Sequence, residues 1–597
     1  VHAVRRPSAP ALYGFLFGTV VVLAITTPMW LTKRSFGPDW TSAMFMAWHE
    51  GVAIRNTGHP TLYLLAEGRG LFEPWYAFYG GPLFSAIGAV SALLGNRPEV
   101  AFVGANLALV GGAYYGMTWL GRELGGGRVA RHVGAAVFVS SPYYLTDMYA
   151  RGAFAETAAL SAIPLLLASG IALLRRPWNA RTVLAFALAV AVLSGSHNLT
   201  LVWATTLLLV IGAVALVALP AAERPPWRRI GAVLGLAALS VGVNAWALTF
   251  DALYNHRVKI GTAEAPTDWH SSERFNAPGR VFDPLRRSVK PSSSPGIVVA
   301  SQVWALAWAI VVAWLARHRI ARAPLALRRV ALVLGGALVL LYLLVLLPWP
   351  WTIMPRPLNL IQFPYRINGY IAILVGALVP LVWRLASEAR EAEPGAAAAG
   401  GARRRTGAMA AGLGALAAVC FLPGIAQAWN KDNTSHGWSA RPDREATFAH
   451  GPSVTPKPSF YDEGSYRDWS APVVRVPAGR HILLPMPEPG ANGTSAVLQL
   501  PPGDAPIVTN VVGGSYAVKL TGVRRIGRTA DGRVVVAPPR DHDRPVRITA
   551  TARGGLINPV RWGLSLACLL AVAAIAVWVS PARPVRPRAR RSAAAAR

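Results

Sequence analysis

The chain has 597 residues, 53% hydrophobic and 15% charged, with a formal net charge of +31. Apolar stretches of about twenty residues recur, the length that crosses a hydrocarbon core of roughly 30 Å, so composition excludes a soluble domain and predicts a polytopic membrane protein. The positive charge does not point to nucleic acid, because it is gathered in short clusters between the apolar stretches: Arg5-Arg6, Arg175-Arg176, Arg224 to Arg229, Arg317 to Arg329, Arg403 to Arg405 and Arg583 to Arg591. That is the positive-inside pattern.

Arg outnumbers Lys, and Ala and Gly abound, as in products of GC-rich bacterial genomes. The two cysteines, Cys420 and Cys568, both lie in apolar stretches, which leaves no disulfide framework and no thiolate metal site. The first apolar run has no small-residue cleavage site before polar sequence and is expected to be a retained span.

In chain order the expected spans are 11–31, 99–120, 129–146, 153–174, 181–196, 198–219, 230–249, 297–316, 329–348, 366–384, 407–428 and 560–580. With both termini cytoplasmic, these twelve put every basic cluster on one side. The stretch Pro82 to Leu94 has 13 residues and covers roughly 20 Å at about 1.5 Å each, too short to cross. It is expected to re-enter, which gives a bundle of about 12–13 helices. The domain at 1–428 then offers four outer segments: 32–97, 143–156, 250–296 and 349–366. Residues 429–556 differ, with alternating runs such as Val473 to Val476, His481 to Leu484, Ala496 to Leu500, Arg533 to Val536 and Val546 to Thr549 between Gly, Pro, Asn and Asp turns. They predict a small extracytoplasmic β-sandwich. A last span, 557–580, and a basic cytoplasmic tail, 581–597, follow; 385–406 reads as a flexible cytoplasmic segment. There is no obvious internal repeat, which weighs against an inverted-repeat transporter.

The polar chemistry is concentrated in the outer segments. The first carries Asp39-Trp40 just past the first span, then His49 and Glu50, Arg55, Glu67 and Glu73, with the aromatic run Trp75-Tyr76-Ala77-Phe78-Tyr79. Interleaved aromatics suit helices in the headgroup layer, but an interfacial anchor needs no acids. Asp39 is either a helix N-cap or a catalytic carboxylate. The second segment packs Asp147, Arg151 and Glu156 into a turn between spans, as an internal ion pair or as a phosphate holder. A carboxylate at the start of a span is costly without a partner. The third is Ser194-Gly195-Ser196-His197-Asn198-Leu199-Thr200, a polar knot that suits sugar hydroxyls or phosphate if His197 is not satisfied by a backbone carbonyl. The fourth, Pro355 to Arg366, contains Asn359, Gln362 and Arg366. An arginine at the outer boundary opposes the positive-inside bias and needs either a loop acid or a lipid phosphate, to which guanidinium donates paired hydrogen bonds. The sequence has no Walker loop, no HExxH and no nucleophile elbow where one could work, so no nucleotide cofactor is expected.

Taken together, Asp after the first span, Phe-Tyr-x-x-Pro-Leu (Phe78 to Leu83), Ser-Pro-Tyr…Asp-x-Tyr-x-Arg-Gly-x-x-x-Glu (Ser141 to Glu156), Ser-His-Asn and Gln-Phe-Pro-Tyr-Arg (Gln362 to Arg366) resemble a bacterial integral-membrane family. It carries the label "6-pyruvoyl-tetrahydropterin synthase-related" and is similar to YfhO-type proteins and the wider GT-C glycosyltransferases. The likeness covers roughly residues 10 to 385. The pterin label implies nothing here, since no His cluster suits a zinc-dependent pterin synthase.

The resemblance implies a GT-C bundle whose outer loops form a cavity and whose sugar donor is a polyprenyl-phosphate lipid. Asp39 maps to the loop carboxylate usually taken as general base; Glu156 and Glu50 compete for the second acid. Arg366, Arg151, His197 and Gln362 would hold the donor phosphate, and His49, Tyr79, Asp147 and Asn198 would line the substrate site. A divalent metal is left open by this superfamily. The acceptor would be an envelope glycan or glycolipid, in the bacterial plasma membrane among its lipids; the β-rich segment is either its holder, through Tyr461, Tyr466 and Trp469, or a plain structural cap. Two readings from other classes stand beside it: a lipid or polysaccharide transporter, and a non-catalytic envelope-assembly protein.

Overall fold

A computed structural model describes residues 9–31, 37–66, 70–258, 300–359, 361, 364–388, 400–429, 469–476, 480–482, 495–515, 517–538, 546–552 and 559–580. The expectations for Glu67, Gln362, Tyr461, Tyr466, the loop 259–296 and the tail lie outside these residues.

The helices are α1 (Ala9–Thr26), α2 (Gly37–Thr57), α3 (Gly81–Leu93), α4 (Pro98–Glu123), α5 (Arg128–Val139), α6 (Phe154–Arg175), α7 (Ala180–Ser196), α8 (Asn198–Ala218), α9 (Trp227–Gly242), α10 (Ala245–Tyr254), α11 (Ala300–Leu315), α12 (Leu325–Leu346), α13 (Asn368–Glu388), α14 (Gly400–Trp429) and α15 (Pro559–Trp578). Among the described residues six segments are long and apolar enough to cross a membrane, or seven if the bent pair α9–α10 is one span: α4, α6, α8, α12, α15 and Pro364–Ser387, which includes most of α13. The chain is therefore a multi-pass, mainly helical membrane protein with a small region of sheet near its C-terminus.

Three expectations change in detail. The span expected at 230–249 is two helices, α9 and α10, bent by 84° at a break around Val243 and Asn244. The span expected at 129–146 is α-helical only to Val139, and the chain then turns through Pro142–Leu145 and Thr146–Arg151. The segment after the first span, whose aromatics suit the headgroup layer, is covered by protein and not open to lipid along its buried face. α2 is enclosed by protein, with Phe45, Ala47, His49 and Glu50 all buried, and it is followed by a hairpin, β1 (Leu64–Ala66) with β2 (Gly70–Glu73). The short helix α3 packs along α2, with the 13 residues that the sequence allots it.

Small residues let the long helices approach closely, as is common between helices in lipid. A Cβ on Gly116 of α4 would lie 2.8 Å from the Leu165 backbone nitrogen of α6. One on Gly134 of α5 would lie 2.4 Å from the carbonyl oxygen of Gly376 on α13. These contacts seat α4 closely on α6 and α5 closely on α13.

The C-terminal sheets are β3 (His481–Ile482), β5 (Ile507–Thr509), β8 (Val534–Ala537) and β7 (Arg524–Arg528) in the order β3-β5-β8-β7, and β4 (Ser495–Leu500), β9 (Val546–Ala552) and β6 (Val518–Thr521) in the order β4-β9-β6. Their inner residues Leu500, Val511, Val534, Val536 and Ile548 share a core with Leu62, Tyr63, Leu71 and Phe72 of the first loop and Trp246 and Phe250 of α10. The expected strand Val473 to Val476 contributes only a bridge from Val473 to Arg528.

Replacing Gly134 with Leu is expected to cost about 1–3 kcal/mol or more, because the obstacle is the backbone of another helix. Gly111→Ala, which meets nothing within 4 Å, should be neutral to within about 0.5 kcal/mol. Thermal unfolding in detergent micelles compares the two; equal melting points would refute the close-packed α5–α13 contact.

Candidate active site

The centre is built where α5 gives way to α6. Thr146–Arg151 winds as a π-helix, a widened turn that re-aims side chains and brings Asp147 and Arg151 together. Gly152 ends it at φ 72°, a left-handed conformation suited to glycine, and the Ala153 N–H donates back to the Asp147 carbonyl at 2.8 Å. Its missing side chain matters twice, because a Cβ there would lie 2.6 Å from the Trp40 nitrogen. The first turn of α2 thus rests directly on the residue after Arg151. α6 opens at Phe154 and carries Glu156 in its first turn, where the helix dipole favours a carboxylate.

Arg151 Nη1 lies 2.7 Å from Asp147 Oδ1, 3.0 Å from Glu156 Oε2 and 3.1 Å from the Tyr143 hydroxyl. Tyr143 in turn donates to Glu156 Oε1 at 2.6 Å. Arg366 Nε stands 3.5 Å from the same Glu156 Oε2, and the Arg151 guanidinium lies 5.9 Å from the centre of the Tyr365 ring. All four charged side chains are buried, and two carboxylates formally balance two guanidiniums. Burial pushes the Asp147 carboxyl well above the usual range, and the Glu156 charge adds to it, while Arg151 and Arg366 oppose it. Its second oxygen, Oδ2, has no hydrogen-bond partner among the described residues.

Glu156 and Arg366 also line a narrow cleft of about 10 Å³ with His197, Thr200, Trp203 and Tyr370. His197 sits between α7 and α8 and caps α8: its Nδ1 accepts from the Thr200 N–H at 3.3 Å and lies 2.8 Å from Thr200 Oγ1. In the neutral ring the proton is then on Nε2, which leaves a donor for the cleft. The Tyr79 ring stands edge-on to His197 at 5.9 Å.

The structure therefore gathers Asp147, Arg151, Glu156, Arg366, His197 and Tyr79 from four separated stretches of sequence. Asp39 is the third residue of α2, inside the helix and not its cap residue. Glu50 is elsewhere: eleven residues further along α2 is about 17 Å along the axis. There Glu50 Oε2 accepts from the Thr61 N–H at 3.2 Å, and Gly88 of α3 packs against its Cβ. Burial raises its carboxyl well above the carboxylate range. His49 stacks on Tyr76 at 5.7 Å between centroids, and burial lowers its pKa to about 3. Asn198 donates to the Phe78 carbonyl at 3.0 Å and to Asp251 Oδ2 at 2.7 Å, which ties α8 to the first loop and α10.

Sequence reasoning did not single out Tyr143, Tyr365, Trp203 or Tyr370 as members of this site. Tyr370 had a usable signal, four residues after Arg366 and so on the same helical face. Trp203 had none within its apolar span. Among the described residues no group of three or more His, Cys, Asp or Glu side chains could hold a metal ion.

No protein-family model matches the sequence, and neither does any curated protein. Two solved structures with partial similarity are the arabinofuranosyltransferase AftD from Mycobacteria and the archaeal oligosaccharyltransferase AglB from Archaeoglobus fulgidus, the latter in complex with an inhibitory peptide and a dolichol-phosphate. The first has a TM-score of 0.42 and 17% identity over 71% of this chain and 27% of that one. The second has a TM-score of 0.40 and 11% identity over 79% of this chain and 62% of that one. The chain thus spans about a quarter of the mycobacterial enzyme's length and under two thirds of the archaeal one's.

Two outcomes test this electrostatic picture. Arg151→Gln strands two buried carboxylates and should cost about 3–5 kcal/mol, against about 1 kcal/mol for Tyr143→Phe, by chemical denaturation in micelles. His49 has a folded pKa of about 3 against a usual 6.5, so the unfolded chain takes up the proton first. Its contribution to stability is full above pH 6.5 and falls by up to about 1.4 kcal/mol per unit as the pH drops from 6.5 toward 3. His49→Phe should flatten the decline in melting temperature between pH 7 and 5. An unchanged slope would show that His49 is not buried as a neutral ring.

Proposed function

We propose that the chain is a membrane glycosyltransferase that moves a sugar from a polyprenyl-phosphate donor to an acceptor in the cell envelope, and that it works in a bacterial plasma membrane with both termini on the cytoplasmic side. The observation that carries this reading is the contact between Gly152 and the first turn of α2, which brings the residue next to Asp39 onto the Arg151–Glu156–Arg366 cluster. A carboxylate-bearing turn and two guanidiniums beside a cleft supply what transfer from a lipid phosphate requires: a base on one side and charge stabilisation of the leaving group on the other.

In this mechanism Arg366 holds the donor phosphate, with Arg151 and the His197 Nε2–H as further donors. If Asp147 carries a proton, the cluster has one net positive charge, which matches a singly charged phosphodiester. The acceptor hydroxyl oxygen attacks the anomeric carbon as the bond from that carbon to the phosphate oxygen breaks. The electron pair leaves with the polyprenyl phosphate, the hydroxyl proton passes to Asp39, and configuration inverts. A phosphate leaving group needs no proton, so one carboxylate suffices as base. Glu156, already engaged by Arg151, Tyr143 and Arg366, orients the arginines.

Asp39→Asn should reduce transfer from a radiolabelled polyprenyl-phospho-sugar in membranes by about 10²–10⁴-fold at an unchanged protein level. Near-normal turnover would remove Asp39 from the role of base.

A further inference from the structure

α6 has a second feature at its other end. Ala172 is sixteen residues from Glu156, about 24 Å along the axis. Here α4, α6 and α7 part to leave a groove of about 580 Å³, within the range of ligand-sized cavities. Its rim carries Arg122, Arg131, Arg176 and Arg181, and its wall includes Gly116 and Trp119. The neighbouring acid, Glu123, is already engaged by Arg176 at 2.8 Å and by the Trp119 indole N–H at 2.9 Å. Three of the four guanidiniums therefore have no acid in the groove. Arg131 Nε is buried without a hydrogen-bond partner among the described residues.

The groove's length says what fits it. From Arg122 at the rim to Gly112 at the inner end is ten residues of α4, about 15 Å. That is half of a roughly 30 Å hydrocarbon core, or one leaflet. The wall is mostly apolar, and Arg122, Arg176 and Arg181 stand at the ends of apolar helices, the depth of a headgroup for helices that cross a bilayer. A soluble anion would use the rim and leave the apolar wall unfilled; a neutral lipid would use the wall and leave the charge unmatched.

We propose that this groove is a binding site for an anionic phospholipid, with its phosphate on Arg122, Arg131 and Arg181 and one acyl chain between α4, α6 and α7. The site is separate from the proposed transfer site and does not rest on that reading.

The purified full-length protein in a neutral detergent provides the test, with thermal unfolding and native mass spectrometry read against phosphatidylglycerol, phosphatidylcholine, polyprenyl phosphate and inorganic phosphate. Phosphatidylglycerol should raise the melting temperature and remain bound in the spectrum, while phosphatidylcholine and inorganic phosphate should do neither at equal concentration. The double variant Arg122→Gln/Arg181→Gln, both exposed positions, should weaken retention by about tenfold or more while its unliganded melting temperature stays that of the parent protein. Equal binding of phosphatidylcholine would overturn the electrostatic part of the assignment. An equal shift from inorganic phosphate would overturn the acyl-chain part. Preference for polyprenyl phosphate, or retention of phosphatidylglycerol unchanged in the double variant, would overturn the assignment itself.

Discussion

One guanidinium group holds the centre of this molecule together. Arg151 is shared between Asp147, Glu156 and Tyr143, all within 3.1 Å, and is itself buried. A charge desolvated in this way is costly by itself, and the cost is offset only when partners meet it with good geometry. The requirement is unforgiving because the partners belong to different elements. Asp147 comes from the π-turn, Glu156 from α6, Tyr143 from the turn before, and Arg366 from the short turn that leads into α13. If one of these elements shifts, a buried ion loses its partner. The cluster therefore fixes the relative positions of segments that hydrophobic packing alone would allow to slide.

Gly152 extends that constraint outward. Because it has no Cβ, the backbone of Trp40 can rest on it, and Trp40 then meets the Phe102 ring at 4.7 Å, which meets Phe154 at 4.5 Å. The ion cluster and an aromatic chain thus secure the two sides of the same turn of α2. The far end of α2 answers to other partners, Thr61, Tyr76 and α3. One helix therefore carries an acid at each of two sites that cannot act together.

Much of the helical architecture was legible because length and hydropathy decide which segments cross a membrane. The short α3 was readable from 13 residues of apolar sequence. The bend between α9 and α10 was not, since a single Asn244 in an otherwise apolar run does not by itself break a helix. What marks the break is a tertiary contact, the Asn244 amide donating to the Ala191 carbonyl and Ser194. In the sheets, β5, β6 and β7 were missed. Each is short, and β7 reads Arg-Arg-Ile-Gly-Arg, whose side chains give no alternating apolar pattern. In the site, the link from Asp147 to Arg151 was visible as an i, i+4 pair of opposite charges. The link from Arg366 to Glu156 spans 210 positions, and composition could state only that an arginine at that boundary needed some acid or phosphate.

The arrangement also bears on which acid could serve as a base. A general base must be ionised, within reach of the acceptor, and free of obligations that would be broken by taking a proton. Glu156 fails the last condition: it accepts from Tyr143 and faces two guanidiniums, so protonating it would leave those charges facing a neutral group. Asp147 fails the first, because burial and the neighbouring Glu156 charge favour its neutral form. Glu50 fails on position and, by the same desolvation, on charge. Of the acids considered for the role, the proposal therefore keeps Asp39, whose turn meets the cluster through the neighbouring Trp40 backbone.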